Sequence, residues 1–330
     1  MSELRFNYIM QDWVIIATER ANKPETFKKE KCEETIPAFD PKCPFCPGNE
    51  GDGKDETARI GDVHSWKVRA IYNKYPALSP DVKEERKIFG IHNKAAGFGV
   101  HEVVVENPRH DVCLATMPEE SVFDVVKMYK MRYEAIRCVN GIEAITIFKN
   151  HGEMAGASQK HPHSQIVATS VVPHHIRSRV NNSIQFFDIM RKCVVCAMIE
   201  QELKDKERMV LETENFVAFV PYAAVGPFLV WIVPKRHMAS FDATNDTELR
   251  DFAVALKTVL AKIYTGLNNP DFNFTVRSMP TKESGEGYFH WALVMYPRIK
   301  QLAGFELGSG MCINSTIPEA CAEFLRGVRI

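Results

Sequence analysis

Two stretches of this chain follow one plan. From Gly99 it reads Gly99-Val100-His101-Glu102-Val103-Val104-Val105-Glu106-Asn107-Pro108-Arg109-His110, a glycine, an apolar strand and a basic-histidine end. From Gly226 it reads Gly226-Pro227-Phe228-Leu229-Val230-Trp231-Ile232-Val233-Pro234-Lys235-Arg236-His237, with the same glycine-to-histidine spacing. A Cys-x-x-Cys knuckle and an aromatic, proline-bearing turn precede each: Cys43-Pro44-Phe45-Cys46 with residues 72–78, then Cys193-Val194-Val195-Cys196 with residues 220–225. A helix pattern follows each, over 119–138 and over 246–264. Val122, Val125, Val126, Tyr129, Tyr133 and Ile136 form one stripe, and Leu249, Phe252, Leu256, Val259, Leu260 and Ile263 the other. Apolar residues at helical period read as core rather than as a cofactor box. Beyond each helix an extended segment leads to a histidine, His161 or His290. Each copy must bury a similar stripe against a similar sheet, so the chain reads as two halves of one fold.

The order of elements supplies two ligand sets: Cys43, Cys46, His110 and His161, then Cys193, Cys196, His237 and His290. Each is a closed Cys₂His₂ set of the kind that makes a structural zinc site. A thioredoxin-like redox motif is the other reading of a lone Cys-x-x-Cys. Cys32, Cys113, Cys138, Cys312 and Cys321 read as buried thiols.

The halves part company at His161-Pro162-His163-Ser164-Gln165. An extended segment would place 161, 163 and 165 on one strand face. Gly152, Gly156, Ser158 and Lys160 precede it, a flexible polar loop whose backbone N–H groups can approach an anion. Aligning His161 with His290 sets Ala292 against His163 and Val294 against Gln165. One working nucleophile per chain follows, an imidazole suited to phosphoryl or nucleotidyl transfer.

Composition narrows the partners. The chain has 330 residues, with 41 basic and 42 acidic side chains and a formal net charge of −1. That balance gives no electrostatic case for nucleic acid or an anionic membrane. Met1-Ser2-Glu3-Leu4-Arg5 carries no apolar leader core, and no stretch has a membrane-spanning pattern, so a cytosolic location is expected.

From Phe148 to Gln165, with its Asn150-His151-Gly152, Gly156-Ala157-Ser158 and His161-Pro162-His163 steps, the sequence resembles the galactose-1-phosphate uridylyltransferase family. That family is the duplicated branch of the histidine-triad superfamily, and the resemblance spans essentially the whole chain. It implies an α+β fold of two histidine-triad-like halves, each with an antiparallel sheet and flanking helices, assembled as a homodimer. Residues 1–180 would carry the nucleophile, and 181–330 a structural metal site and the sugar-binding segment. His163 then carries the nucleoside monophosphate and Gln165 holds the phosphoryl oxygens. Asn150, Gly156 and Ser158 fall on phosphate and nucleotide contacts, Arg20 and Lys23 on basic positions near the phosphates, Asn73 on a nucleoside contact and Glu306 on the sugar.

Three departures from the galactose enzymes bear on the substrate. The second metal strand reads His290-Trp291-Ala292 instead of His-x-His, no glutamine follows Gly304-Phe305-Glu306, and Lys74 stands where an acidic residue follows the nucleoside asparagine. The His-Trp and Gly-Phe-Glu stretches look more like the ADP-glucose phosphorylase branch. The resemblance thus implies transfer of AMP from ADP-glucose to phosphate or a hexose 1-phosphate. Uridylyl transfer to galactose 1-phosphate is the alternative, and a histidine-triad nucleotide hydrolase or binding protein a further one.

Overall fold

The two helical stripes are buried as the periodicity predicts. α1 (Glu119–Arg137) has acidic residues in its first turn and Arg137 in its last, the charge order favoured by the helix dipole. α4 (Asp246–Leu267) starts from a capping box, in which Asn245 accepts from the Glu248 backbone and Glu248 from that of Asn245. This computed structural model describes residues 2–18, 24–28, 36–51, 53–63, 65–83, 85–301 and 303–330. Arg20, Lys23 and Cys32 lie outside the described residues.

The strands are β1 (Glu3–Asn7), β2 (Asp12–Ile16), β3 (Glu56–Gly61), β4 (Trp66–Tyr72), β5 (Arg86–Phe89), β6 (His92–Ala95), β7 (Gly99–Val105), β8 (Ala144–His151) and β9 (His163–Thr169) in the first half. In the second they are β10 (Met209–Glu212), β11 (Phe216–Phe219), β12 (Val230–Pro234), β13 (Phe272–Arg277), β14 (Ala292–Pro297) and β15 (Ile313–Asn314). Helices α2 (His174–Met190), α3 (Val194–Asp205), α5 (Gly304–Ser309) and α6 (Pro318–Gly327) complete the elements used below.

Duplication is explicit in the topology. The first half orders its strands β3-β4-β7-β9-β8 and the second β10-β11-β12-β14-β13, the same arrangement twice. All pairings within each are antiparallel. The sheets then meet edge to edge. β8 pairs antiparallel with β13, with Phe272 opposite His151 and Asn273 opposite Asn150, and the result is one ten-stranded sheet. Each half thereby hides an edge that would otherwise offer unpaired backbone groups.

α1 and α4 pack on each other and on one face of this sheet, over a core continuous through both halves. Every residue of β7 is buried, His101 and Glu102 included, and Glu102 is paired there with Arg132. The other face bears His163 and Gln165. Phe148 stands opposite Gln165 and Asn273 opposite Asn150, so these residues share that face, and Asn273 stands opposite Tyr296 in turn. A small sheet of β1, β2 and β15 sits by the second half, tied there by Arg5, which bonds to Glu319 and to the Tyr222 carbonyl.

Candidate active site and metal centres

His163 opens β9 with its side chain 6% exposed. Its Nδ1 lies 2.9 Å from the His161 carbonyl oxygen, so Nδ1 carries the proton and donates. Nε2 is left with the lone pair a nucleophile needs. Burial, followed by the positive charge of Lys149, lowers the pKa below the ordinary histidine value and keeps the ring neutral. The expected sharing of one strand face by 161, 163 and 165 holds only for the last two. His161 precedes the strand, because Pro162 has no N–H for the ladder and its carbonyl accepts from Glu106 instead. His161 is thereby free to join the cysteines.

Gln165 is oriented by His101. The Ala77 N–H donates to His101 Nδ1 at 3.1 Å, which fixes the proton on Nε2, and Nε2 donates to Gln165 Oε1 at 2.8 Å. With its oxygen engaged, the Gln165 amide offers its N–H groups to an anion. Asn73 lies against the same imidazole, Nδ2 3.1 Å from Nε2.

The loop after β8 is held by the second half. Gly152 has φ +82°, and a Cβ there would lie 2.2 Å from the Asp271 carboxyl carbon. Asp271 accepts from the Met154 N–H at 2.7 Å, and Asn273 donates to Asn150 Oδ1 at 2.8 Å and to the Ala155 carbonyl at 2.9 Å. Gly156 also has positive φ, and it and Ser158 lie exposed on this loop. Fusion of the sheets therefore shapes the loop beside His163. Glu306 is elsewhere engaged. It caps α5 through the Ala303 N–H at 3.2 Å and meets Lys300 at 3.4 Å, and no hydrogen bond among the described residues joins it to His163.

Beneath His163 lies a polar cluster that the sequence reading missed. Lys149 Nζ donates to Glu106 at 2.7 Å and to the His163 carbonyl at 2.9 Å, and both side chains are buried. Ser164 donates to the same carboxylate, and the Tyr129 hydroxyl lies 2.5 Å from Ser164 Oγ. One signal was legible: Ile145, Ile147 and Lys149 alternate, which puts a lysine on a core face.

Both Cys₂His₂ sets assemble, each with its four ligand atoms within 4.8 Å of one another. In the first, the two Nδ1 atoms are 3.3 Å apart, and sulfur-to-Nδ1 distances are 3.5 and 3.6 Å. A tetrahedron with metal–nitrogen bonds near 2.0–2.1 Å and metal–sulfur bonds near 2.3 Å has edges of roughly 3.3 and 3.6 Å. The donors thus fit a tetrahedral divalent ion. His161 Nε2 donates to the Asn107 carbonyl at 2.7 Å, which leaves Nδ1 as the ligand atom. Burial and the neighbouring His110 and His163 pull the His161 imidazole down to about 4, so it is neutral and ready to bind. In the second set, Cys196 Sγ lies 3.3 Å from His237 Nδ1 and 3.4 Å from His290 Nδ1. Of the other cysteines expected to be buried, those among the described residues divide: Cys321 is buried, Cys113 and Cys312 are half-buried and Cys138 is exposed.

A duplicated histidine-triad-like sheet with a buried histidine at the head of β9 and two Cys₂His₂ sets defines a class of protein, and the comparisons give its family. Residues 1–173 match the N-terminal domain of galactose-1-phosphate uridyl transferase and residues 172–305 the C-terminal domain. The chain belongs to that family and is, with it, a nucleotidyltransferase. It is 36% identical to an ADP-glucose phosphorylase of Arabidopsis thaliana, over 99% of this chain and 93% of that protein. To a galactose-1-phosphate uridylyltransferase of Thermotoga maritima it is 30% identical, over 100% and 99%. A crystal structure of an Arabidopsis thaliana ADP-glucose phosphorylase with bound ADP-glucose superposes with a TM-score of 0.85 at 34% identity, covering 100% of this chain and 99% of that one. A uridylyltransferase structure gives 0.76 at 25% identity, covering 99% and 97%. Among the described residues no helix is long and apolar enough to cross a membrane.

Proposed function

We propose that this chain transfers AMP from ADP-glucose to inorganic phosphate or a hexose 1-phosphate through a covalent nucleotidyl-histidine at His163. The observation that carries the reading is the neutral imidazole whose Nδ1–H is held by the His161 carbonyl, leaving Nε2 to react. Nε2 attacks the α-phosphorus, a P–N bond forms, and the bond to the sugar phosphate oxygen breaks with release of glucose 1-phosphate. An oxygen of the acceptor phosphate then attacks the same phosphorus, the P–N bond breaks, and the neutral imidazole returns. Both leaving groups are weakly basic phosphates, so positioning and charge stabilisation outweigh proton donation. Gln165 donates to the non-bridging oxygens. Asn150, Gly156 and Ser158 line the phosphates, with Arg20 and Lys23 as further cations. Asn73 contacts the nucleoside, and Glu306 reads the sugar.

We assign a structural zinc ion to each Cys₂His₂ set, two per chain, because four protein donors leave no open position for water. Zinc would clamp the cysteine knuckles to the strand ends, and His161 would link one clamp to the segment before His163. We place the enzyme in the cytoplasm and assign it a homodimeric state; light scattering of the purified chain tests the dimer, and fractionation of the cell the location. Adenylyl over uridylyl transfer is supported by the 36% relative and by the missing glutamine after Glu306. A site lacking a partner for one sugar hydroxyl discriminates less for that sugar. Intact-protein mass spectrometry after incubation with ADP-glucose or UDP-glucose decides. An adenylyl adduct absent from His163→Asn is expected. A uridylyl adduct alone favours the second reading, supported by the Thermotoga relative, and a normal adduct in His163→Asn refutes the nucleophile.

A further inference from the structure

A cavity of about 690 Å³ lies on the second half, walled by Trp13, Phe186, Trp231, Arg277 and Tyr296 among others. The duplication says what place this is. His161 and His290 are corresponding ligands, and His163 and Ala292 each open the next strand. Gln165 pairs with Phe148 and Val103, and Val294 pairs with Thr275 and Trp231. Phe148 therefore corresponds to Thr275 and Val103 to Trp231. Two residues on, Asn150 corresponds to Arg277. The cavity lies on the sheet face that corresponds to the His163 face of the first half, where Trp231 and Arg277, the counterparts of Val103 and Asn150, line it. On that face Ala292 stands at the His163 position and Val294 at the Gln165 position, both buried beside the cavity rather than on its wall, and Arg277 stands at the Asn150 position.

The charges are left uncompensated. Arg277 lies 5.1 Å from the Trp231 ring centre and 5.8 Å from that of Tyr296, and donates to the Tyr296 hydroxyl. Arg179 of α2 lies within its electrostatic reach. Its Nε is buried with no hydrogen-bond partner, and burial and the Arg277 charge pull the guanidinium down to about 10. Among the described residues neither arginine has a carboxylate at ion-pair distance. Arg5 and Arg208, on the same cavity, do: each meets Glu319, at 2.8 and 2.9 Å. Two half-buried like charges close together without a counter-ion cost free energy that a bound anion would offset. The carboxylates on the wall, Glu202 and Asp205, are both paired with Arg208, at 3.0 and 3.1 Å, and the aromatic part of the wall has Tyr8 edge-on to Phe186 at 5.4 Å and Phe6 to Trp13 at 5.2 Å.

We propose that the second half holds a non-reactive nucleotide site, with phosphate on Arg277, the Arg179 charge adding to the attraction from behind it, and the base on the aromatic wall of Tyr8, Trp13 and Phe186. Ala292 leaves nothing there to accept a phosphoryl group, so this site binds and releases its ligand unchanged. Only the choice of a nucleotide as ligand rests on the proposed function. Equilibrium dialysis of the full chain against ADP is the test, with inorganic pyrophosphate as the arm for phosphate alone. Two ADP per wild-type chain are expected, and one in Arg277→Leu and in Arg179→Leu. Arg277→Lys, which keeps the charge without the fork, should retain the second site with affinity weakened roughly tenfold. One ADP per wild-type chain, or two in both leucine variants, would overturn the proposal. So would pyrophosphate binding as tightly as ADP, because it would remove the role given to the aromatic wall. A wild type that forms no nucleotidyl-histidine yet binds ADP through Arg277 would overturn the proposed reaction and leave this site standing.

Discussion

Replacing Lys149 by methionine should damage this protein twice, and the two effects can be separated. Lys149 and Glu106 are 2% and 0% exposed with nitrogen and oxygen 2.7 Å apart, so Lys149→Met strands a carboxylate in the core. Breaking such a pair costs about 3–5 kcal/mol. At roughly 2 °C per kcal/mol for a chain this long, the melting temperature should fall by about 6–10 °C. Lys149→Met/Glu106→Leu removes both charges and should recover wild-type stability or exceed it. The second half already makes that replacement. By the strand correspondence Lys149 matches Val276, Ser164 matches Leu293 and Glu106 matches Pro234; Tyr129 and Leu256 are each the eleventh residue of their helix. All four second-half residues are buried, so the fold is content with apolar side chains where no nucleophile lies above. The polar cluster is therefore expected to serve His163, whose carbonyl Lys149 holds. Calorimetry gives the stability arm, and rapid-quench measurement of adduct formation the kinetic arm. The stable double variant should form adduct at least about tenfold more slowly, the equivalent of roughly 1.4 kcal/mol. A double variant that is stable and as fast as wild type would refute the positioning role. A Lys149→Met melting temperature within 1–2 °C of wild type would refute the burial argument.

Gly152→Ala should raise KM for the nucleotide sugar and cost about 1–3 kcal/mol, because the methyl group meets Asp271 in a backbone region alanine avoids. Unchanged KM and melting temperature would contradict this. Adduct formation should hold its rate as pH falls to about 6.5 and decline only below it, since burial and Lys149 lower the His163 pKa. An acid limb near pH 7 in rapid-quench data would count against a neutral, buried nucleophile. Stability should follow the same sign. His161 is held neutral down to about 4, so its contribution is complete above the unfolded value of about 6.5 and is lost as pH falls between the two. Acid titration of the metal-free chain, followed by circular dichroism, checks it. Cys193→Ser should drop bound metal from about two equivalents to one and lower the melting temperature more than it lowers the rate of the folded remainder. Elemental analysis showing two equivalents in that variant would contradict the ligand assignment.

The sequence by itself determined the duplication, both helices, the strand that carries His163 and both Cys₂His₂ sets. Those signals are local, a period along a helix or a spacing within a motif, or they repeat, and a repeat checks itself. Cys43 and His161 could be matched because Cys193 and His290 stand in the same order. Tertiary structure alone decided what lies between these pieces. Edge pairing of β8 with β13 is set by backbone hydrogen bonds, which carry no residue signature, and it is this pairing that lets Asp271 and Asn273 shape the loop before His163. His101 orients Gln165 from a neighbouring strand, 64 residues away, and the sequence holds no spacing rule for such a contact. Lys149 and Glu106 meet only because β8 and the end of β7 flank β9, and Arg277 reaches a cavity wall only because β1, β2, α2 and α3 close over the second-half sheet. Alternation and spacing act along the chain, whereas charge pairing and cavity shape act across it, where the fold sets the distances.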